Sequence, residues 1–314
     1  MAQPRRLPPA LAAIDIGTNS IRLLVARPAT DRPGFALLDD RTVTARLGQG
    51  VERTGRLDPD RLEYAVETVK EFRQVAASHG AMTILAAATS AVREATNGTL
   101  FCDYIARTTG LDVQIIDGMR EAELTYAGAI LGHSVSGTVL VADLGGGSLE
   151  LIVAQDGKVR QMQSLKLGSG RLAERHFQAD PPDQAMVAAV EQDARELLDP
   201  IAGSIPPIDH MLMVGGTASS LPIVAPKPDG NLILTLRRLY GAVALLTSAP
   251  AAEIAAETGL DPERVRTLPA GAAILGALLS SFGIGSAKVS QGGLREGLLL
   301  EFLLGQLRRL RTKD

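Results

Sequence analysis

The sequence predicts a duplicated α/β protein, in which each half opens on a β-meander and continues with alternating helices and strands. Three observations carry this prediction. The 314 residues, 46% hydrophobic and 21% charged, are enough for two folded domains with separate cores. The stretches DIGTNSIRLLVA (Asp15–Ala26) and DLGGGSLELIVA (Asp143–Ala154) follow one pattern, D-[IL]-G-x-x-S-[IL]-x-L-[IL]-V-A, about one domain length apart. After each copy, strand and helix signals alternate in the same order, as in a repeated α/β unit.

The elements follow in turn. Residues 11–26 read as strand, tight Gly-Thr-Asn-Ser turn and strand rich in branched residues, with FALLDDRTVTARL supplying the third strand. Asp58-Pro59 is an N-cap and first-turn pair opening an amphipathic helix that Gly80 closes. MTILAAAT is a buried strand, TLFCDYIARTTG a helix ended by Gly110, DVQIID a strand and REAELTYAGAILG a helix. The second half restarts with strand, turn, strand, Asp-Gly hairpin and strand through TVLVADLGGGSLELIVAQDGKVRQMQSLKLG. A long helix follows in DQAMVAAVEQDARELLDPIAG, then the strand HMLMVGG, more helices, the strand AKVS and the C-terminal helix LREGLLLEFLLGQLRRLR.

Composition narrows the function. Aromatics are 3% and tryptophan is absent, so the cores are aliphatic and base stacking on single-stranded nucleic acid is disfavoured. A formal net charge of −3 also argues against a nucleic-acid partner, although arginine strongly outnumbers lysine and suits bidentate phosphate contacts. Cys102 is the one cysteine, which excludes intrachain disulfides, and it reads as a buried small hydrophobe. MAQPRRLPPALAA lacks the apolar core of a signal peptide. LPAGAAILGALLSSFGIG is short for a membrane span and broken by glycines, so it reads as a buried helix. The expectation is a cytoplasmic protein with no membrane partner. The apolar C-terminal helix leaves two readings open, a homodimer contact and a cover over the core.

The repeated turns carry the chemistry. In each, an aspartate ends a strand, and glycine with small polar residues leaves backbone N–H groups free to grip phosphate oxygens. The aspartate suits Mg²⁺, which takes one or two carboxylates plus phosphates. Two such turns facing across a cleft would clamp one phosphoryl chain. No P-loop, dinucleotide-binding fingerprint, zinc pattern or nucleophile elbow is present, and the four histidines are scattered.

The paired turns resemble the phosphate motifs of the actin-like ATPase superfamily. The segments LGQGVERTGRL, ATSAVREATNG, IIDGMREAELTYAGAI and VSQGGLREGLL resemble the exopolyphosphatase / guanosine pentaphosphate phosphohydrolase (Ppx/GppA) family, in its order and spacing over nearly the whole chain. The resemblance implies the short form, with two ribonuclease H-like (actin-like ATPase) domains, each a five-stranded mixed sheet with helices, and a cleft between them. It places the first domain at 1–124 plus about 297–314 and the second at 125–296. The implied activity is Mg²⁺-dependent release of terminal phosphate from inorganic polyphosphate, guanosine pentaphosphate or both. The low aromatic content favours polyphosphate. The alternatives are a small-molecule kinase of the same superfamily, for which no acceptor-binding insert is visible, and a non-catalytic ATP-binding switch.

By the same resemblance Glu121 is the catalytic carboxylate acting on the attacking water, with Glu123 a rival from pattern alone, and Arg93 contacts phosphate. Arg120 stands where relatives often carry an acid, and either adds a phosphate contact or alters local charge. Gly17, Thr18, Asn19 and Ser20, with Gly145, Gly146, Gly147 and Ser148, line the phosphate path. Asp143, and symmetrically Asp15, hold the metal. Gly215, Gly216 and Thr217 form a third glycine-rich motif. Lys166, Arg171 and Arg295 are weaker candidates for a basic rim.

Overall fold

The computed structural model describes residues 9–29, 34–133, 136–225 and 232–311, with side chains to residue 306. Residues 1–8, part of the stretch read as lacking a signal peptide, and 312–314, the end of the expected returning segment, lie outside the described residues.

The first sheet contains β1 (Ala10–Ile16), β2 (Ser20–Pro28), β3 (Phe35–Thr44), β4 (Ala81–Ala88) and β5 (Val113–Ile115), in the order β3-β2-β1-β4-β5. The second contains β6 (Thr138–Leu144), β7 (Leu149–Gln155), β8 (Lys158–Leu165), β9 (His210–Val214), β10 (Ile233–Thr235) and β11 (Ser286–Val289), in the order β10-β11-β9-β6-β7-β8. Each half is an antiparallel meander whose first strand also pairs in parallel with a later strand, β1 with β4 and β6 with β9. The second sheet therefore has one strand more than the five expected. β10 pairs antiparallel with β11 and buries Leu234 at the edge; three residues are too few to show a strand period in sequence.

Alternation along the strands fills both faces of each sheet. In the first, Ala12, Ile14, Ile16, Ile21 and Leu23 pack beneath the helices Pro59–Ser78 and Gly98–Thr109, while Leu11, Ala13, Leu24 and Ala26 meet Leu299. In the second, Leu140, Ala142, Leu149 and Leu151 share a core with the helices Gln184–Ala202 and Pro262–Ser281. Most of LPAGAAILGALLSSFGIG lies in the latter helix, where Ala270, Ile274, Leu275, Ala277 and Leu278 are fully buried. Asp58, Asp183 and Asp261 cap their helices by accepting first-turn N–H groups. Cys102 is buried, as expected. Among the described residues no single helix is long and apolar enough to cross a membrane.

Two helices cross between the halves. Gly118–Ala129, at the end of the first half, lays Ala122, Tyr126 and Ala129 on the second sheet, while its Leu124 meets Ala87 of the first and Ile116 just beyond β5. Leu294–Arg311, at the end of the second half, packs on the first sheet. They touch through glycine: a Cβ on Gly128 would strike the Gly293 carbonyl, and one on Gly297 the Leu124 carbonyl. Residue 124, the expected domain boundary, therefore lies inside one unbroken helix that contacts both sheets.

Candidate functional site

The two repeated turns have the same backbone. Gly17 N–H donates to the Ser20 carbonyl at 3.0 Å, and Gly145 N–H donates to the Ser148 carbonyl at 3.0 Å. Two further carbonyls of each turn are held from behind. Gly48 and Arg46 N–H groups donate to Thr18 and Asn19, and Ser169 and Arg171 N–H groups donate to Gly145 and Gly146, at 2.8–3.0 Å. Among the described residues, the N–H groups of Thr18, Asn19, Gly146 and Gly147 then have no protein partner. Such outward donors form an anion-binding nest.

The bracing segments are themselves a repeat that the sequence analysis did not draw out: Leu47-Gly48-Gln49-Gly50 and Leu167-Gly168-Ser169-Gly170. Both leucines are fully buried anchors. A Cβ on Gly48 would strike the Thr18 side chain, and one on Gly168 the Gly146 carbonyl, so the L-G-x-G pattern is what lets each brace reach its turn.

The turns meet. A Cβ on Gly146 would lie 2.8 Å from Asn19 Cβ, and one on Gly147 would lie 2.5 Å from Thr18 Oγ1. All eight expected turn residues line a cleft of about 1170 Å³, together with Asp15, Asp143, Glu121, Gly215, Gly216 and Thr217. The last three begin the helix Gly215–Val224, whose N-terminus has no side-chain cap and opens on this cleft. Gly215 has φ +89°, and a Cβ there would strike Asp143 Oδ1.

Register fixes the charged groups. Asp143 stands opposite Glu150 and Asp15 opposite Arg22, each pair on the face its crossing helix covers. Asp143 and Asp15 are half-buried in the cleft wall. Burial raises the Asp143 pKa to about 6, with Arg22 pulling down, the Asp15 charge pushing up and a hydrogen bond from Thr125 Oγ1 at 3.2 Å easing it. Burial also raises Asp15, against Arg22 and Arg295, and its Oδ1 has no hydrogen-bond partner.

Glu121 is buried in the first turn of its helix, behind the N-cap Asp117. Burial first, then the Glu150 charge, push its pKa well above the usual carboxylate range, while Arg93 opposes them. Glu123 is exposed and paired with Arg120 at 2.9 Å; Arg120 also reaches Glu301 and adds nothing to the cleft wall. Arg93, expected at phosphate, is not among the described lining residues. Its Nη1 donates to Glu121 Oε2 at 3.0 Å and to the Ile116 carbonyl at 2.8 Å, so it sits behind the glutamate and orients it.

The basic-rim candidates separate. Lys166 is 78% exposed and lies 3.9 Å from Glu94. Arg171 is a strap: Nε donates to the Gly147 carbonyl at 2.8 Å and Nη2 to Glu94 at 2.8 Å. Arg295 lines the cleft and donates to the Leu23 carbonyl and Asp40.

Three charged residues of the cleft were not singled out. Glu150 is 1% exposed, and burial with the Asp143 charge raises its pKa strongly. Arg22 and Arg264 lie side by side against Gly216, where a Cβ would strike Arg22. Arg264 donates to Ser20 Oγ at 2.7 Å; burial and then Arg22 lower its pKa to about 10. Setting the two twelve-residue stretches in register marks position eight, Arg22 in one and Glu150 in the other, as the cross-strand partner of each aspartate. No local pattern marks Arg264.

A metal fits part of this arrangement. Among the described residues no group of three or more His, Cys, Asp or Glu side chains is placed to hold one. Asp15 and Asp143, two mutually repelling carboxylates with one unpartnered oxygen, suit an Mg²⁺ ion that takes its other ligands from phosphate and water.

Two sheets of one strand order, their glycine turns meeting across a cleft, define the actin-like ATPase fold. Within it, the model of the Ppx/GppA phosphatase family matches residues 24–306, and the chain belongs to that family, hydrolases of phosphoanhydride bonds. It is 30% identical to Exopolyphosphatase 1 of Mycobacterium tuberculosis over 308 residues, covering 93% of this chain and 88% of that one. An exopolyphosphatase from Cytophaga hutchinsonii superposes with a TM-score of 0.84 at 26% identity, covering 94% and 98% of the two chains. The Ppx/GppA protein of Aquifex aeolicus gives 0.75 at 29% identity, covering 95% and 98%.

Proposed function

We propose that the protein hydrolyses the terminal phosphoanhydride bond of inorganic polyphosphate, with Mg²⁺ as cofactor. The observation that carries this reading is the meeting of the two turns, Gly146 against Asn19, beside a buried Glu121. The free N–H groups of both turns hold the terminal phosphate, with further donors from the helix start at Gly215. Arg22 and Arg264 face the oxygens that follow along the chain. Mg²⁺ held by Asp15 and Asp143 would supply positive charge to the phosphate oxygens.

Glu121 is the base. A water beside it attacks the terminal phosphorus and its proton passes to the carboxylate. The bond from phosphorus to the bridging oxygen breaks, and that oxygen leaves on the shortened chain as orthophosphate forms. The raised pKa makes Glu121 a stronger proton acceptor than an exposed glutamate, and Arg93 opposes that rise and aims the carboxylate.

Polyphosphate is preferred over guanosine pentaphosphate because Phe35 is the one aromatic among the described cleft residues, which leaves little for a base to stack on. The test compares initial orthophosphate release from long polyphosphate, short polyphosphate and guanosine pentaphosphate, each with Mg²⁺ and with EDTA. Fast Mg²⁺-dependent release from polyphosphate is expected. Release from guanosine pentaphosphate alone would move the assignment to the nucleotide, and release unaffected by EDTA would remove the metal.

A further inference from the structure

A second, smaller pocket of about 260 Å³ shares Thr18, Asn19 and Gly147 with the cleft, so the paired turns are a wall common to both spaces. Beyond that wall the linings differ: the pocket is bounded by the L-G-x-G brace of the first half, the helix Ser169–His176 and Arg266. Its volume is below the roughly 300–1,000 Å³ typical of sites for drug-sized ligands. That volume has room for a small hydrated ion and not for a nucleotide or a chain.

We infer that this pocket is the exit for orthophosphate, which leaves through it while the shortened chain stays in the cleft. The inference rests on the polyphosphate reading above. A chain lying in the cleft with its end at the turns blocks the way by which it entered, and the product forms at the wall common to both spaces. Two unpartnered buried polar atoms belong to residues lining the pocket, Asn19 Nδ2 and Gln49 Oε1. Orthophosphate at neutral pH offers both complements: oxygens that accept from the amide, and a P–O–H that donates to the Gln49 oxygen.

The pocket's cations are already paired. Arg266 lies 3.3 Å from Asp180, Arg46 bonds Glu263, and Arg171 bonds Glu94 and Glu52. Competition from these carboxylates keeps phosphate affinity low, as a passage requires: binding good enough to enter and weak enough to leave. Several of the pairs, with the Gly50 N–H to Glu174 hydrogen bond at 3.0 Å, join first-half to second-half residues around the pocket. The turns are in contact, so passage needs them to part, and these exposed or half-exposed links are ones that a small opening breaks.

Ala179 is exposed and lines the pocket outside the catalytic machinery, so Ala179→Trp obstructs it without touching a core. Gln49→Met removes the acceptor at similar volume. With long polyphosphate and Mg²⁺, single-turnover cleavage in Ala179→Trp should stay within about twofold of the parent, while steady-state kcat falls by about fivefold or more as product release becomes limiting. Gln49→Met should show the same split, more weakly. In the parent, added orthophosphate should inhibit non-competitively against polyphosphate, because it binds while a chain occupies the cleft. Unchanged steady-state rates in both variants, or strictly competitive inhibition by orthophosphate, would overturn the exit and leave the polyphosphate reading standing. No orthophosphate from the parent in a single turnover would overturn both.

Discussion

The turn after Asp15 and the turn after Asp143 have one backbone and two sets of side chains. Both are closed by the same glycine-to-serine hydrogen bond and braced by an L-G-x-G segment. In the first, Thr18 and Asn19 fill the tip and Arg22 stands opposite the aspartate; in the second, Gly146 and Gly147 fill the tip and Glu150 stands opposite. The repeat reaches the crossing helices as well, where Gly118-Met119-Arg120-Glu121 matches Gly293-Leu294-Arg295-Glu296. Each helix packs on the sheet of the other half, so Glu121 comes to the Asp143 turn, while Arg295 and Asp15 feel one another's charge. Duplication supplied a symmetric grip, and divergence at the same positions made one side cationic and the other acidic. On the proposed reading, a carboxylate that readies water and a cation that holds phosphate are different tasks, and the two sides of the cleft divide them.

The sharpest way to break this division is Glu121→Gln, which keeps shape and removes the base. It should lower kcat by about 10²–10⁴-fold with KM near the parent value. Orthophosphate release measures it, and a kcat within a few-fold of the parent would take the role from Glu121. Next comes Gly147→Ala, which forces a methyl to within 2.5 Å of Thr18 Oγ1 and 2.6 Å of Ser90 Oγ and so pushes the turns apart. A loss of about 10–100-fold in kcat/KM is expected, since small misplacements at a reacting centre cost that much. Gly145→Ala, whose Cβ meets only the Ser148 carbonyl at 3.4 Å, is the control and should lose far less.

Arg22→Met tests the cationic side. Losing one charge-assisted contact should raise KM for polyphosphate by about tenfold and leave kcat less affected. The converse outcome, a kcat loss at constant KM, would place Arg22 with the chemistry and erase the division of labour.

The acidic side gives a pH signature in the metal-free protein. Asp143 has its pKa raised from 3.8 to about 6, so the native state holds its proton more tightly than the unfolded chain. The stabilisation is complete below the unfolded value and is lost as pH rises through about 6. Thermal unfolding in EDTA should therefore show Tm falling between about pH 4 and pH 7, Mg²⁺ should restore it at the upper end, and Asp143→Asn should flatten the slope. A Tm that rises over this interval in EDTA would contradict the half-buried, crowded environment assigned to Asp143.

Much of the site was legible in the sequence because backbone grips are local. The repeated D-x-G-x-x-S pattern locates both turns, and every turn residue it named lines the cleft. Pattern alone left Glu121 and Glu123 as rivals, and packing separates them: Glu121 is buried on the face that carries Thr125 and Gly128, while Glu123 is exposed. Arg93 was singled out, but its partner Glu121 was not legible as such, because it lies on a helix 28 residues further on. Arg264 carries no local mark: it reaches Ser20 across 244 residues.

By itself, the sequence determined the two opening meanders, the paired glycine turns and the helix caps. These depend on residue period, glycine placement and short-range hydrogen bonds. Only the tertiary structure decided which half each crossing helix would serve, which arginines would face the cleft, and how four carboxylates would crowd into one cleft wall. Those outcomes depend on side chains brought together from distant parts of the chain, where packing and the cost of burying charge set the geometry.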